Sequence, residues 1–265
     1  MAIAWIDRMA VDSRGEGDAV VFVHGLGGSM HVWTPLLPAL ARWRCVRIEL
    51  PGAARSRRAH AVAEGAPPLT AGVHAAAVAR VCEALGIARA HVVGHSFGTL
   101  IAQHLAVEAP ALVRSLALFG ALWQPPQPMR EAMRARAAAA RTQGMFEIAE
   151  GISDFALAAS TKQDQPVTVA FVRECVGGQD PEGFARNCVA LAEAEGARTE
   201  LVRCPVLVVN GDEDQVTPLS GARQLAERLA DARVEVFARC GHWPMLERPA
   251  ESARALRDFL QRVRG

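Results

Sequence analysis

Apolar strands that stop at glycine-rich turns and are followed by helices constrain the fold of this chain more than any other feature. Residues 20–23 form such a run and end at the turn of residues 24–28. Residues 90–93 form another, which ends at residues 94–98 before a predicted helix over residues 99–109. Strands that alternate with helices form a mostly parallel sheet with helices on both faces. The sequence therefore predicts a doubly wound α/β fold whose strand-to-helix turns share one edge.

The alternation of strands and helices is interrupted after residue 123. Residues 124–128 (Gln-Pro-Pro-Gln-Pro) cannot lie inside a strand or a helix, and the following residues predict helices separated by glycines and prolines. Strands resume at residues 205–210. The prediction is an α/β core formed by residues 1–123 and 200–265, with a helical cap (lid) inserted at residues 124–199.

Composition and charge exclude several classes of protein. The formal net charge is +1 over 265 residues, so no long-range field favours nucleic acid or an anionic membrane surface. Residues 1–8 lack the basic start and long apolar run of a signal peptide, so we expect no secretion signal there, and no apolar run reaches membrane-spanning length. Its six cysteines are scattered, without a Cys-x-x-Cys pair. We therefore expect a cytoplasmic protein that holds no metal. Its arginine- and alanine-rich composition is typical of a GC-rich bacterial genome.

The turn at residues 94–98 carries the strongest chemical signal. Its sequence, Gly-His-Ser-Phe-Gly, lies between a predicted strand and a predicted helix, which is the setting of a nucleophile elbow. The composition predicts roughly 0.06 chance occurrences of Gly-x-Ser-x-Gly in such a chain. A structural turn accounts for the glycines but not for the serine between them. Ser96 is therefore predicted to be a nucleophile at a helix N-terminus, where free N–H groups favour negative charge.

A serine nucleophile requires a base, and His242 is the best placed of the eight histidines. It follows the last predicted strand and therefore emerges on the same edge of the sheet as Ser96. Other histidines are expected to be solvated (His60, His74), structural (His91, His104), turned away from the site (His95) or undecided (His31).

The carboxylate that orients the histidine is expected between residues 211 and 218, directly after the strand at residues 205–210. Asp212, Glu213 and Asp214 all lie there, and each of them could instead cap a helix or be solvated. Asp214 is favoured because it lies at the far end of the turn, whereas Asp212 is expected to bond within it.

The glycine-rich turn at residues 24–28 lacks both the Gly-Lys-Ser/Thr ending of a phosphate-binding loop and the spacing of a dinucleotide-binding fingerprint. Its position allows backbone N–H groups to face the serine. We expect the N–H groups of Leu26 and Phe97 to form an oxyanion hole.

The substrate pocket is less constrained by the sequence. Its candidate residues are His31, Trp123 and Trp243. Three arginines recur on one face of a predicted cap helix, and that face is expected to be solvated: Arg130, Arg134 and Arg141. If this face lined the pocket instead, we would expect the pocket to bind an anionic substrate such as a lactone acid.

Together these motifs resemble the α/β-hydrolase superfamily over nearly the whole chain, in its order Ser…Asp…His. The compact cap and the Gly-His-Ser-Phe-Gly elbow are most similar to 3-oxoadipate enol-lactonases, small carboxylesterases and cofactor-free perhydrolases. The resemblance implies a serine hydrolase that cleaves a small-molecule ester or lactone through an acyl-enzyme, without a metal or organic cofactor. One departure is the loop at residues 49–56, which lacks the second glycine of the usual Asp-x-x-Gly-x-Gly-x-Ser pattern.

Three alternatives to ester hydrolysis stay open. The same site could transfer an acyl group to an alcohol or thiol, or to peroxide. It could cleave a carbon–carbon bond of a diketone. The chain could also be a non-catalytic sensor or signalling module with an intact triad. Serine as nucleophile argues against dehalogenases and epoxide hydrolases, and the chain has no tyrosine to open an epoxide.

Overall fold

The computed structural model describes residues 3–59, 65 and 67–263. Its strands are β1 (Ala4–Ile6), β2 (Met9–Arg14), β3 (Ala19–Val23), β4 (Arg44–Ile48), β5 (Ala90–His95), β6 (Val113–Phe119), β7 (Val206–Gly211) and β8 (Ala232–Phe237). Its α-helices are α1 (Ala71–Ala84), α2 (Phe97–Glu108), α3 (Gln127–Gln143), α4 (Phe146–Ala156), α5 (Ala159–Asp164), α6 (Pro166–Gly177), α7 (Pro181–Ala192), α8 (Leu219–Glu227), α9 (Pro244–Glu247) and α10 (Pro249–Arg262). Shorter 3₁₀ segments cover Met30–Leu40, Ala54–Arg58 and Thr199–Leu201.

The strands form one sheet in the order β1-β2-β4-β3-β5-β6-β7-β8. The β1–β2 and β2–β4 pairs are antiparallel, and every other pair is parallel. The predicted mostly parallel α/β fold is therefore confirmed. Because β3 and β5 to β8 all run in the same direction, the turns after these strands meet at one edge of the sheet.

The central strands are buried on both faces, which explains why they are continuous apolar runs. In β3, Val21 packs into a hydrophobic cluster that includes buried side chains of α1 and α2. The adjacent Phe22 points to the opposite face, where it packs with Trp33 and with α10 side chains such as Phe259. Alternate residues of one strand thus hold helical layers on both faces.

The sequence pattern does not predict the hairpin formed by β1 and β2. Its two-residue turn consists of Asp7 and Arg8, with φ values of 49° and 61°. Turns of this kind usually contain Asn-Gly or Asp-Gly, because glycine adopts positive φ without a steric cost. The three-residue strand β1 and the turn residue Arg8 together leave only a weak hairpin signal.

Helices α3 to α7 lie between β6 and β7, within the segment where the cap is predicted. In this insertion α3 packs against α7, and α4 packs against α6. Two side-chain amides join the insertion to loops at the sheet edge. Asn187 Nδ2 donates to the Pro51 carbonyl at 3.0 Å, and Gln179 Nε2 donates to the Gly27 carbonyl at 3.3 Å. The division into core and cap at residues 124 and 199 stays a prediction.

Candidate active site

Ser96 occupies the turn between β5 and α2. Its φ and ψ angles are 52° and −119°, a left-handed conformation that is rare for a residue with a side chain. Neighbouring backbone leaves room only for glycine on either side. A Cβ on Gly94 would lie 2.5 Å from the Gly98 carbonyl oxygen, and a Cβ on Gly98 would lie 2.7 Å from the His24 carbonyl oxygen. The sharp turn therefore holds Ser96 at the N-terminus of α2.

The turns after β7 and β8 bring Asp214 and His242 into contact. His242 Nδ1 lies 2.9 Å from Asp214 Oδ2, and the two side chains are 5% and 0% exposed. Asp214 Oδ1 accepts the N–H groups of Val216 and Thr217 at 2.9 and 2.8 Å, and Oδ2 also accepts the Thr217 hydroxyl at 2.8 Å. These bonds fix the carboxylate. Its contact with Nδ1 assigns the proton of the neutral imidazole to that nitrogen and leaves Nε2 to act as a base.

The environment of Asp214 keeps the carboxylate ionised. Burial raises its pKa, but the charge and hydrogen bond of His242, together with the hydrogen bonds from Thr217, outweigh burial, so the pKa lies below its ordinary value. An ionised carboxylate beside Nδ1 is able to stabilise a positive charge on the imidazole ring.

The neighbouring acids, Asp212 and Glu213, have other partners. Asp212 Oδ1 accepts the N–H of Cys240 at 3.2 Å, and Glu213 Oε2 accepts the N–H of Ala159 at 3.0 Å. Asp212 therefore bonds to the turn after β8 and not, as expected, within its own turn, and Glu213 bonds to the first residue of α5.

His24 fixes the glycine-rich loop after β3. Its Nδ1 lies 2.8 Å from the Gly25 carbonyl oxygen, and its Nε2 accepts the Leu50 N–H at 3.0 Å. Burial lowers the pKa of His24 to about 4, so the ring is neutral at physiological pH and can accept at Nε2 while it donates at Nδ1. The ring thus ties this loop to the end of β4.

The same loop passes directly beside Ser96. A Cβ on Gly25 would lie 2.8 Å from Ser96 Cβ, so glycine permits this approach. Among the residues that the structure describes, the backbone N–H groups of Leu26 and Phe97 have no hydrogen-bond partner. Two unpaired donors therefore lie next to Gly25 and next to Ser96.

Ser96 and His242 line one cavity of about 400 Å³, together with Leu26 and Trp243. Within the described part of the chain, the Ser96 hydroxyl has no hydrogen-bond partner. The remaining wall is largely apolar and comes from α3, α4, α7 and the segments near them: Leu122, Met129, Met133, Ile152, Phe155 and Leu191. The cavity therefore suits a small molecule with an apolar portion.

Two other pocket candidates, His31 and Trp123, do not line this cavity. His31 lines a separate cavity of about 850 Å³, where its Nε2 lies 2.6 Å from Arg55 Nη2. Trp123 lines an adjoining cavity, donates Nε1–H to the Ala197 carbonyl at 3.0 Å and stacks under the Arg228 guanidinium at 3.8 Å. Both follow strands as predicted, but position along a chain does not determine where a side chain points.

One of the other histidines lies where the sequence did not predict it. His74, predicted to be solvated, is buried with its ring 5.4 Å from the Phe97 ring, because its side of α1 packs onto α2. His95 places Nε2 2.8 Å from the His242 carbonyl oxygen and so braces the loop that carries His242. His60 lies outside the described residues.

Glu247 is a functional candidate that the sequence does not reveal. Its side chain is buried, and Oε2 accepts the Gly241 N–H at 3.1 Å while Oε1 accepts the Trp243 N–H at 2.9 Å. Oε2 also accepts the Ala158 N–H at 2.9 Å and the Thr161 hydroxyl at 2.8 Å. One carboxylate thus fixes the residues on both sides of His242 and joins them to the insertion. The sequence shows only a glutamate at the end of a helix, and nothing in it indicates these contacts.

We expect Glu247→Gln to lower the free energy of unfolding by about 1–3 kcal/mol, because the new amide turns a donor toward at least one buried N–H that needs an acceptor. Urea unfolding monitored by circular dichroism measures the change. Glu251→Gln, on the next helix and partly exposed, is the matched control and should stay within about 0.5 kcal/mol of wild type. Equal effects of the two substitutions would contradict the role assigned to Glu247.

Among the described residues, three or more histidine, cysteine, aspartate or glutamate side chains nowhere cluster in a way that could hold a metal ion. None of the described helices has the length and hydropathy required to cross a membrane.

Comparison with known proteins agrees with this architecture. Residues 18–249 match the family model described as alpha/beta hydrolase fold. The chain is 31% identical over 264 residues to pimeloyl-[acyl-carrier protein] methyl ester esterase of Chromobacterium violaceum, covering 96% of this chain and 98% of the relative. It is 30% identical over 269 residues to 2-hydroxymuconate semialdehyde hydrolase of a Pseudomonas species, covering 96% and 90%.

Among solved structures, the enol-lactonase of Burkholderia xenovorans LB400 superposes with a TM-score of 0.87 at 26% identity, covering 98% of this chain and 100% of that one. Sequence and fold thus both match over almost the full length of the chain. The chain belongs to the alpha/beta hydrolase fold family.

Proposed function

We propose that this protein hydrolyses a small-molecule carboxylic ester or lactone through a covalent acyl-enzyme on Ser96. The observation that carries the proposal is the 2.9 Å contact between His242 Nδ1 and Asp214 Oδ2, next to a cavity that both Ser96 and His242 line. A buried carboxylate that orients an imidazole beside a serine is the arrangement that activates a hydroxyl for attack.

In the proposed reaction, Ser96 Oγ attacks the substrate carbonyl carbon while His242 Nε2 takes the hydroxyl proton. The unpaired N–H groups of Leu26 and Phe97 bind the oxyanion of the tetrahedral intermediate, and each donor is typically worth about 3–4 kcal/mol. His242 then gives its proton to the leaving alkoxide as the carbon–oxygen bond breaks. Water, deprotonated by His242, attacks the acyl-enzyme and releases the acid and the free serine.

The Ser96 hydroxyl makes no hydrogen bond to a described residue before substrate binds. Catalytic hydrogen bonds are often long in the free enzyme and tighten in the complex. We infer that the contact between Ser96 Oγ and His242 Nε2 forms when substrate fills the cavity.

Two similar proteins, a methyl ester esterase and an enol-lactonase, support an ester or lactone substrate. The semialdehyde hydrolase among the relatives favours one second candidate, hydrolysis of a carbon–carbon bond at the same serine.

A substrate panel separates these candidates. We expect the wild-type protein to hydrolyse p-nitrophenyl acetate or butyrate, or a simple lactone, in an assay that identifies the released acid. An excess of alcohol or peroxide added to the ester reaction reports acyl transfer as a new ester or a peracid. Cleavage of a vinylogous diketone without turnover of any ester or lactone would replace the first candidate by the second. Inactivity on the whole panel would favour a non-catalytic role.

A further inference from the structure

Most arginines on α3 are held by partners within the insertion. Arg130 donates to the carbonyls of Ala192 and Ala194, each at 2.7 Å. Arg134 pairs with Glu193 at 2.8 Å, and Arg141 pairs with Glu182 at 2.7 Å. These three arginines join α3 to α7 and the residues after it. Arg134 and Arg141 are exposed as expected, whereas the Arg130 side chain is only 15% exposed, contrary to the solvated position expected for it. None of them lines the cavity that contains Ser96.

A fourth arginine of the same helix, Arg136, does line that cavity. Arg136 Nη1 donates a hydrogen bond to Met133 Sδ at 3.9 Å, and a thioether is a weak acceptor. Among the described residues no carboxylate forms an ion pair with Arg136, and no aspartate or glutamate lines the cavity. The guanidinium group is thus a partly buried cation without an anionic partner.

The surroundings of Arg136 make this arrangement costly. The same cavity is lined by the apolar side chains of Met129, Met133 and Leu191. Burial lowers the pKa of Arg136, as expected for a cation that has lost part of its hydration. An arginine nevertheless stays charged at neutral pH. Leucine or methionine would fill the same wall without the cost of desolvating a charge.

The geometry points to a substrate that supplies the missing anion: we infer that the cavity takes an ester or lactone bearing a carboxylate remote from the reacting carbonyl, which Arg136 binds. A planar guanidinium binds a carboxylate through two parallel hydrogen bonds. The other side chains that line the cavity are largely apolar, which favours an aliphatic spacer, as in a half-ester of a dicarboxylic acid. This inference rests on the proposed function, because Ser96 defines the reacting end of the cavity.

Two esters that differ only in this charge test the inference. One is the mono-p-nitrophenyl ester of adipic acid, and the other is the same molecule with its free carboxylate replaced by a primary carboxamide, which is neutral and nearly the same size. Wild type should prefer the anionic ester by at least about tenfold in kcat/KM, and Arg136→Met should reduce that preference by about ten- to one-hundredfold. Arg134→Met, from a paired arginine of the same helix, is the matched control and should leave the preference unchanged. Thermal melting verifies that each variant is folded.

A binding measurement keeps this inference separate from the proposed function. Adipic acid monoamide, which keeps the remote carboxylate but has no ester bond, should bind wild type in a calorimetric titration and bind Arg136→Met at least tenfold more weakly, whether or not any ester is hydrolysed. Turnover of both esters without a charge preference, or an unchanged preference in Arg136→Met, would overturn the inference and leave the proposed function standing. Weaker binding to Arg136→Met without turnover of either ester would support the anion site and count against the proposed reaction. Equal binding by the two proteins would overturn the anion site in either case.

Discussion

Replacing Ser96 by alanine is expected to lower kcat for an aryl ester by about 10⁴- to 10⁶-fold, the loss typical when the nucleophile of a triad is removed. The hydroxyl makes no hydrogen bond to a described residue, so its loss should leave the fold intact. Initial rates at saturating substrate measure the change. A melting temperature within about 2 °C of wild type shows that the variant is folded. Activity within tenfold of wild type in a folded Ser96→Ala protein would remove Ser96 from the reaction.

The second large effect is expected for Asp214→Asn, with a loss of about 10⁴-fold in kcat. The amide oxygen can replace Oδ1, which accepts the N–H groups of Val216 and Thr217. The amide nitrogen then faces His242 Nδ1 as a donor and forces the imidazole proton onto Nε2. In that tautomer Nε2 cannot accept the proton of Ser96.

Asp212→Asn is the matched control for this substitution, because the Asp212 carboxylate accepts a backbone N–H from Cys240. Its kcat should remain within tenfold of the wild-type value across the pH range of the assay. If Asp212→Asn lost more activity than Asp214→Asn, the assignment of the carboxylate would be wrong.

The turns that carry Ser96, Asp214 and His242 were predictable because each directly follows an apolar strand that the sequence marks. Ser96 needs small neighbours at a sharp turn, and the sequence records that need as Gly94 and Gly98. His242 and Asp214 follow strands, and parallel strands bring their carboxyl ends to one edge wherever they lie in the chain. The hairpin turn at Asp7 and Arg8 was missed because neither residue is a glycine, although both adopt positive φ.

Side-chain direction is what the sequence could not provide. Helical periodicity places Arg130, Arg134 and Arg141 near one face of α3, but it does not indicate which face meets the cavity. Arg136 is two residues from Arg134 and so roughly 200° around the helix, and it is this side of α3 that lines the cavity.

His31 and Trp123 were predicted to line the pocket for a related reason, since both lie near the correct edge of the sheet but their side chains line other cavities. Glu247 acts through contacts that are distant in sequence, with Ala158 and Thr161.

The most direct test of the central claim is covalent labelling of the native protein with a fluorophosphonate, which reacts with a serine activated by a histidine base. Peptide mass spectrometry then locates and counts the adduct. We expect one adduct per chain, on Ser96, with loss of ester hydrolysis in proportion to labelling and much slower labelling of Asp214→Asn. Labelling at another residue, or full ester hydrolysis after Ser96 is completely labelled, would contradict the account.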